Sequence, residues 1–320
     1  EIYTLSLHDA LPISTGRGIA ATGVDNCTIS NCASLNSYST GLLGHTITNS
    51  LFENCEVASN CTIRLDPQNP TGGNWPISSG TLYSSYVTIS GCVVHDNHGE
   101  GIVTAHDDDH VTIEDCTSYN NRAPNIYVRG EYPIIQRNFV FCTDDYVYGP
   151  SPGIVMANEE YAWNPPLSTD QIVINNIVVN CRHGIAFWYI EAGGGLDNAR
   201  IEHNTVVNSK TNTLTNKQGI GLYLTGALHA NSYVRNNIFY QTESSNGEVI
   251  ASVADNSGVT FSNNCWFGQT TDPDASGSGD MTNNPLMVDP VSLSSDADAD
   301  ASNYALQATS LCIDAGSTGT

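Results

Sequence analysis

Three carboxylates, Asp107, Glu131 and Glu159, each stand five residues after an isoleucine (Ile102, Ile126, Ile154) in successive stretches of similar sequence. His106 and Asn158 lie one place before them, and Asp108 and Glu160 one place after. If these stretches stack as neighbouring strands do, roughly 5 Å apart, the three acids form a column. Like charges that close must bind a cation, share a proton or splay into solvent. Hard oxygen ligands suit Ca²⁺, which makes Asp107, Glu131 and Glu159 a candidate metal set. Beside a uronate carboxylate such an ion acidifies the C5 proton for a base, for which Arg129 and His106 are the candidates. A pair of the same acids could instead act as acid and base or nucleophile in glycoside hydrolysis. Carboxylates simply turned to water are the third alternative, and His106-Asp107-Asp108-Asp109-His110 would then be an ordinary polar turn.

Where the isoleucine of a strand points inward, the residues one and three places later point outward. These are Arg64 and Asp66, Val103 and Ala105, Tyr127 and Arg129, Val155 and Ala157, Ala186 and Trp188, and Gly221 and Tyr223. Tyr127, Trp188 and Tyr223 would stand on one face suited to stacking on sugar rings. Arg64 and Arg129 add donors for hydroxyls or carboxylates.

Positioning these side chains requires a repeat, and one is present. Thr28-Ile29-Ser30-Asn31-Cys32, Leu51-Phe52-Glu53-Asn54-Cys55, Thr88-Ile89-Ser90-Gly91-Cys92 and Thr112-Ile113-Glu114-Asp115-Cys116 end in Cys, and Asn138, Asn176, Asn204, Asn237 and Asn264 take that place later. A second landmark precedes each: Gly18-Ile19, Gly41-Leu42, Thr62-Ile63, Gly101-Ile102, Asn125-Ile126, Gly153-Ile154, Gly184-Ile185, Gly219-Ile220 and Val249-Ile250. The tighter spacings are 22 to 24 residues, and the longer ones carry insertions. Such a period marks a solenoid whose units bury their apolar faces only on their neighbours. Short runs of Val, Ile, Thr, Phe and Tyr between Gly, Asn, Asp and Ser make the units all-strand. The fold class is therefore all-β: a single-stranded right-handed parallel β-helix solenoid of about nine coils. Asn at the turn after the second strand can donate to one rung and accept from the other, and Cys fills the slot as a small buryable residue.

The repeat resembles the right-handed parallel β-helix, or pectate-lyase-like, superfamily over roughly Gly18 to Phe267. The resemblance implies that the Gly-Ile segments form the first sheet and that an active site lies along its outer face. It implies an extracellular or cell-surface bacterial protein that acts on polysaccharide, with a Ca²⁺-dependent lyase on acidic glycans as the foremost expectation. A non-catalytic adhesin and a glycoside hydrolase on a neutral glycan are the alternatives. Of the motifs of the polygalacturonase-type hydrolases only an Asp-Asp pair is present, and no complete lyase signature matches.

Residues 1–14, of which Glu1 to Ile13 read EIYTLSLHDALPI, resemble the translation of a sequencing adapter and are set apart from the fold. Residues 15–268 are the expected β-helix, and 269–320 a C-terminal extension. The phrase Ser310-Leu311-Cys312-Ile313-Asp314-Ala315-Gly316 resembles the closing segment of bacterial extracellular β-helix proteins, and the stop at Thr320 just after it implies truncation. With 33 Asp and Glu against 10 Lys and Arg, the net charge is -23. Nucleic acid would be repelled, and a polyuronate would need bridging cations. No apolar run approaches a membrane span, and a monomer is expected. The ten cysteines either pair between rungs, as Cys32 with Cys55 or Cys92 with Cys116, or stay reduced in a buried stack.

Overall fold

The computed structural model describes residues 3–6, 16–65, 76–105, 107–158, 167–189, 194–226 and 228–316. The chain divides into two compact units, Glu1–Asn138 and Phe139–Thr320. Each is built from three parallel sheets, and every coil contributes one short strand to each sheet in turn.

In the first unit the first sheet holds Ile19–Thr22, Leu42–His45, Ile77–Leu82, Glu100–Thr104 and Ile126–Val128. The second sheet stacks Ile29, Phe52, Ile89, Ile113 and Ile135 in one inward column. None of these side chains is more than 2% exposed. Fully burying one of them is worth about 1.5–3 kcal/mol, and only stacking delivers it. Tyr3–Ser6, from the adapter-like stretch, pairs alongside Cys27–Ser30.

In the second unit Ile154–Asn158, His183–Tyr189, Ile220–Leu224 and Val249–Val253 form the first sheet. Its third sheet aligns Val140, Val178, Val206, Phe239 and Trp266. The last two rings stack at 4.4 Å. Five rungs of first sheet in one unit and four in the other account for the expected nine coils.

The turns follow from residue type. Second strands end on a left-handed residue, as at Asn31, Asn54, Asp115, Asn175 and Asn263, a conformation that Asn and Asp tolerate best after Gly. The following residue enters the buried slot. Asn176, through both its backbone N–H and Nδ2, donates to Asn204 Oδ1 at 3.0 Å. Asn204 does the same to Asn237, and Asn237 to Asn264. Each Nδ2 of Asn204, Asn237 and Asn264 also donates to the carbonyl of Val173, Ile201 or Val234. In the first unit the slot holds Cys55, Cys92 and Cys116, buried and free, with thiols directed at the carbonyls of Ile29, Phe52 and Ile89.

The first unit holds a second amide ladder. Asn60, Asn97 and Asn121 stand five places after Cys55, Cys92 and Cys116, and their amides link rung to rung and on to Asn125. The constant offset of five was the available signal.

One coil departs from expectation. Thr62–Leu65 is a 3₁₀ turn, and the strand that pairs with Leu42–His45 is Ile77–Leu82. Arg64 is therefore not on the first sheet. The true strand is disguised by polar core residues, Ser79 and Thr81, both fully buried.

Candidate functional site

In the second unit, side chains from three coils surround a groove of about 860 Å³. Trp188 extends from the strand His183–Tyr189, and Tyr223 from Ile220–Leu224. Ala186 pairs directly with Tyr223, which puts Trp188, two residues further along the same strand, diagonal to Tyr223 on the neighbouring rung. Gly184 lets the neighbouring rung approach closely. A Cβ there would meet Val206 Cγ1 at 2.3 Å and the Gly221 carbonyl at 2.5 Å.

His183 joins the two rings, its imidazole centroid 4.7 Å from Tyr223 and 5.8 Å, edge-on, from Trp188. It is only 7% exposed, and its Nδ1 has no hydrogen-bond partner among the described residues. Burial, with the nearby charges of Arg182 and Lys217, pushes its pKa down to about 3, so at neutral pH the ring is uncharged. Arg182 places its guanidinium 5.9 Å over the Trp188 ring, within cation–π range.

Lys217 comes from the loop 212–217, closed by reciprocal backbone bonds between Asn212 and Lys217. Buried Asn212 anchors that loop by donating to the Tyr148 and Pro150 carbonyls and accepting from Leu214 and Thr215 N–H. Asp255 completes the rim.

Four of the cations make ion pairs away from this groove. Arg137 pairs with Glu114 and Asp115, Arg200 and Arg235 with Glu202, and Lys210 with Asp144. Arg182 and Lys217 have no carboxylate partner among the described residues. Two of the ten Lys and Arg of a chain of net charge -23 thus face one groove whose single carboxylate is Asp255.

The sequence-predicted residues divide. Trp188 and Tyr223 are brought together here, both half-buried. Tyr127 is on the first sheet of the first unit, paired with Val103, but only 4% exposed, so its ring offers no surface for stacking. The strand alternates as expected, but its outer face at Tyr127 is covered. The run of apolar outward residues, Val103, Ala105, Val155, Ala157 and Ala186, all 5% exposed or less, was the sign of that cover. Arg129 follows the strand Ile126–Val128, its backbone N–H and carbonyl both bonded to Thr104. Arg64 lies in the 3₁₀ turn. His106 and Glu159 lie outside the described residues.

Asp107 and Glu131 are out of register with each other. Glu131 bridges to Asp109, and its N–H bonds the Asp108 carbonyl. The turn after Thr104 is two residues longer than the turn after Val128, so equal offsets from the isoleucines do not stack. Asp107 and Glu131 are exposed, and no group of three His, Cys, Asp or Glu among the described residues is placed to hold a metal. Of the expected Ca²⁺ set only Asp107 and Glu131 are described, and they do not stack on each other.

Asp108, by contrast, is 2% exposed and ties the turn together. Its carboxylate accepts from Thr81 Oγ1, Ser84 N–H and Ala105 N–H. Burial outweighs these donors and raises its pKa from 3.8 to about 6. The folded state therefore binds more protons than the unfolded chain between those values. Its contribution is complete below pH 3.8 and lost as pH rises through about 6. From pH 4 to 7 the stability of Asp108→Asn should gain on wild type by about 2 kcal/mol. Paired thermal melts check this, and a gap independent of pH contradicts it.

A family model described as right handed beta helix region matches residues 14–265. Among solved structures, the Dettilon tailspike protein aligns with a TM-score of 0.47 and 13% identity over 80% of this chain and 47% of its own. DFA-IIIase from Arthrobacter chlorophenolicus A6 gives 0.47 and 10%, covering 86% of this chain and 69% of that one. The endo-xylogalacturonan hydrolase from Aspergillus tubingensis gives 0.38 and 15%, covering 83% and 68%. The chain spans about half the length of the tailspike. Comparison with curated protein sequences finds no match.

Proposed function

The chain belongs to the right-handed β-helix family, and from that premise we propose that the groove at Trp188 and Tyr223 binds an acidic polysaccharide. One observation carries this: Arg182 and Lys217, neither in an ion pair among the described residues, share the groove with two half-buried aromatics and a single carboxylate, Asp255. Trp188 and Tyr223 supply faces for pyranose rings, and Arg182 a two-pronged donor for a carboxylate.

The net charge of -23 opposes a polyanion at long range. At physiological ionic strength charges more than about 8 Å away are largely screened, so the two cations within the groove govern the bound state. Calcium is not required on this reading. His183, neutral and with its Nδ1 shielded from solvent, packs against Trp188 and Tyr223 and fixes the two rings. A pKa so far below neutrality makes it a weak general base, which favours this supporting role for it.

An extracellular or cell-surface setting follows from such a ligand. Among the described residues no helix is long and apolar enough to cross a membrane.

A panel of acidic and neutral polysaccharides, read for binding and for products, tests the proposal. Saturable binding confined to acidic members is expected. Double-bond ultraviolet absorbance in the products marks elimination, new reducing ends without it mark hydrolysis, and neither marks a binding protein. Preference for neutral members, or no binding at all, overturns it.

A further inference from the structure

The last coil of a solenoid leaves strand edges open unless something covers them. Here the segment 277–281 does so. Ser262 bridges to Ser278 and Cys265 to Met281, with Asn263 and Trp266 N–H donating to the Ser278 and Met281 carbonyls. Asp280 ends the amide ladder, its carboxylate accepting from Asn264 N–H, Trp266 Nε1 and Gly277 N–H.

The chain then turns back. Ser310 Oγ donates to the Pro285 carbonyl, and Asn263 Nδ2 to the Ala315 carbonyl. This return carries Cys312 to 3.6 Å from Met281 Sδ, over the bridge partner of Cys265. Cys265 and Cys312 line one cavity of about 600 Å³. Burial and the neighbouring Cys312 thiol both push the Cys265 thiol up.

Cys312 is also the one cysteine of the ten that is not buried, so a soluble oxidant can reach it. Cys142 and Cys181 have sulfurs 3.8 Å apart, but both are 1% exposed and offer no such entry.

We propose that Cys265 and Cys312 form a disulfide that locks the returning segment 306–316 over the capped last coil. The Cys312 thiolate attacks a small-molecule disulfide such as oxidised glutathione, releasing one thiol and leaving a mixed disulfide. The Cys265 thiolate then attacks the Cys312 sulfur and expels the second thiol. Two protons and two electrons pass from the protein thiols to the reagent. The bond closes a loop of more than forty residues, which in the chain-entropy view restricts the unfolded state strongly.

The whole chain, equilibrated with oxidised glutathione, alkylated without reduction and digested, should yield a Cys265–Cys312 linked peptide pair. Its melting temperature should exceed that of the dithiothreitol-reduced protein by about 5 °C or more. Cys312→Ser should abolish that difference, and Cys142→Ser should keep it. Alkylation of all ten thiols in the oxidised chain, a link only between Cys142 and Cys181, or a redox-dependent melt retained in Cys312→Ser would each overturn the proposal.

Discussion

Arg182→Ala is expected to weaken binding of an acidic oligosaccharide by roughly ten- to a hundredfold while changing the affinity for its carboxyl-reduced analogue by less than about threefold. A hydrogen bond to a charged group contributes about 1.5–3 kcal/mol, and about 1.4 kcal/mol is a factor of ten. Arg182 is the better anchored of the two cations. Its N–H bonds the Ser151 carbonyl, its own carbonyl accepts from Ile220, and its guanidinium lies over Trp188. Lys217 is exposed and pays more conformational entropy on binding, so Lys217→Ala should cost less. Arg182→Lys keeps the charge but loses the planar fork and stacks less well on Trp188, and should fall between. Calorimetric titration with the two ligands measures all of this. Equal losses for both ligands would assign Arg182 to the fold of the groove instead of to carboxylate recognition.

Asn204→Ala should destabilise the protein by about 3–5 kcal/mol, with no direct contact to the groove. Asn204 is 1% exposed. Its Oδ1 serves both donors of Asn176, and its Nδ2 serves the Val173 carbonyl and Asn237 Oδ1. Alanine leaves the Asn176 N–H and the Val173 carbonyl without these partners in a site that water does not reach. Each unsatisfied buried group costs about 1–3 kcal/mol. A cavity left by the lost amide adds to that. Denaturant unfolding measures the loss, with exposed Thr213→Ala as the comparison within about 0.5 kcal/mol of wild type. A loss below about 1 kcal/mol would mean that the ladder is not what holds these turns.

The fold was legible because its signal is periodic. The Gly-Ile landmarks and the Asn ladder depend on residues a fixed distance apart, and parallel stacking turns that distance directly into contact. What failed was whatever depended on the length of a turn. Glu131 meets Asp109 instead of Asp107 because two extra residues precede Val111. Arg64 falls off the first sheet because its coil's strand, Ile77–Leu82, carries Ser78, Ser79 and Thr81 at positions that are apolar in most other coils.

The groove was half legible. Trp188 and Tyr223 are on strands and follow from alternation. Arg182 and His183 fall at the corner before the strand landmark, and Lys217 on an inserted loop, where periodicity says nothing. Scarcity of positive charge could have found them: only two lysines occur in the chain, and Lys217 is one of them.

The decisive measurement is a titration of the whole protein with an oligouronate and with the same oligosaccharide after carboxyl reduction, both in the presence of a chelator, followed by Trp fluorescence. The charged ligand should saturate the signal at least about tenfold more tightly, and the difference should shrink as salt is added. Binding of the oligouronate that appears only when calcium is restored, or equal affinity for both ligands, would contradict carboxylate recognition by Arg182 and Lys217.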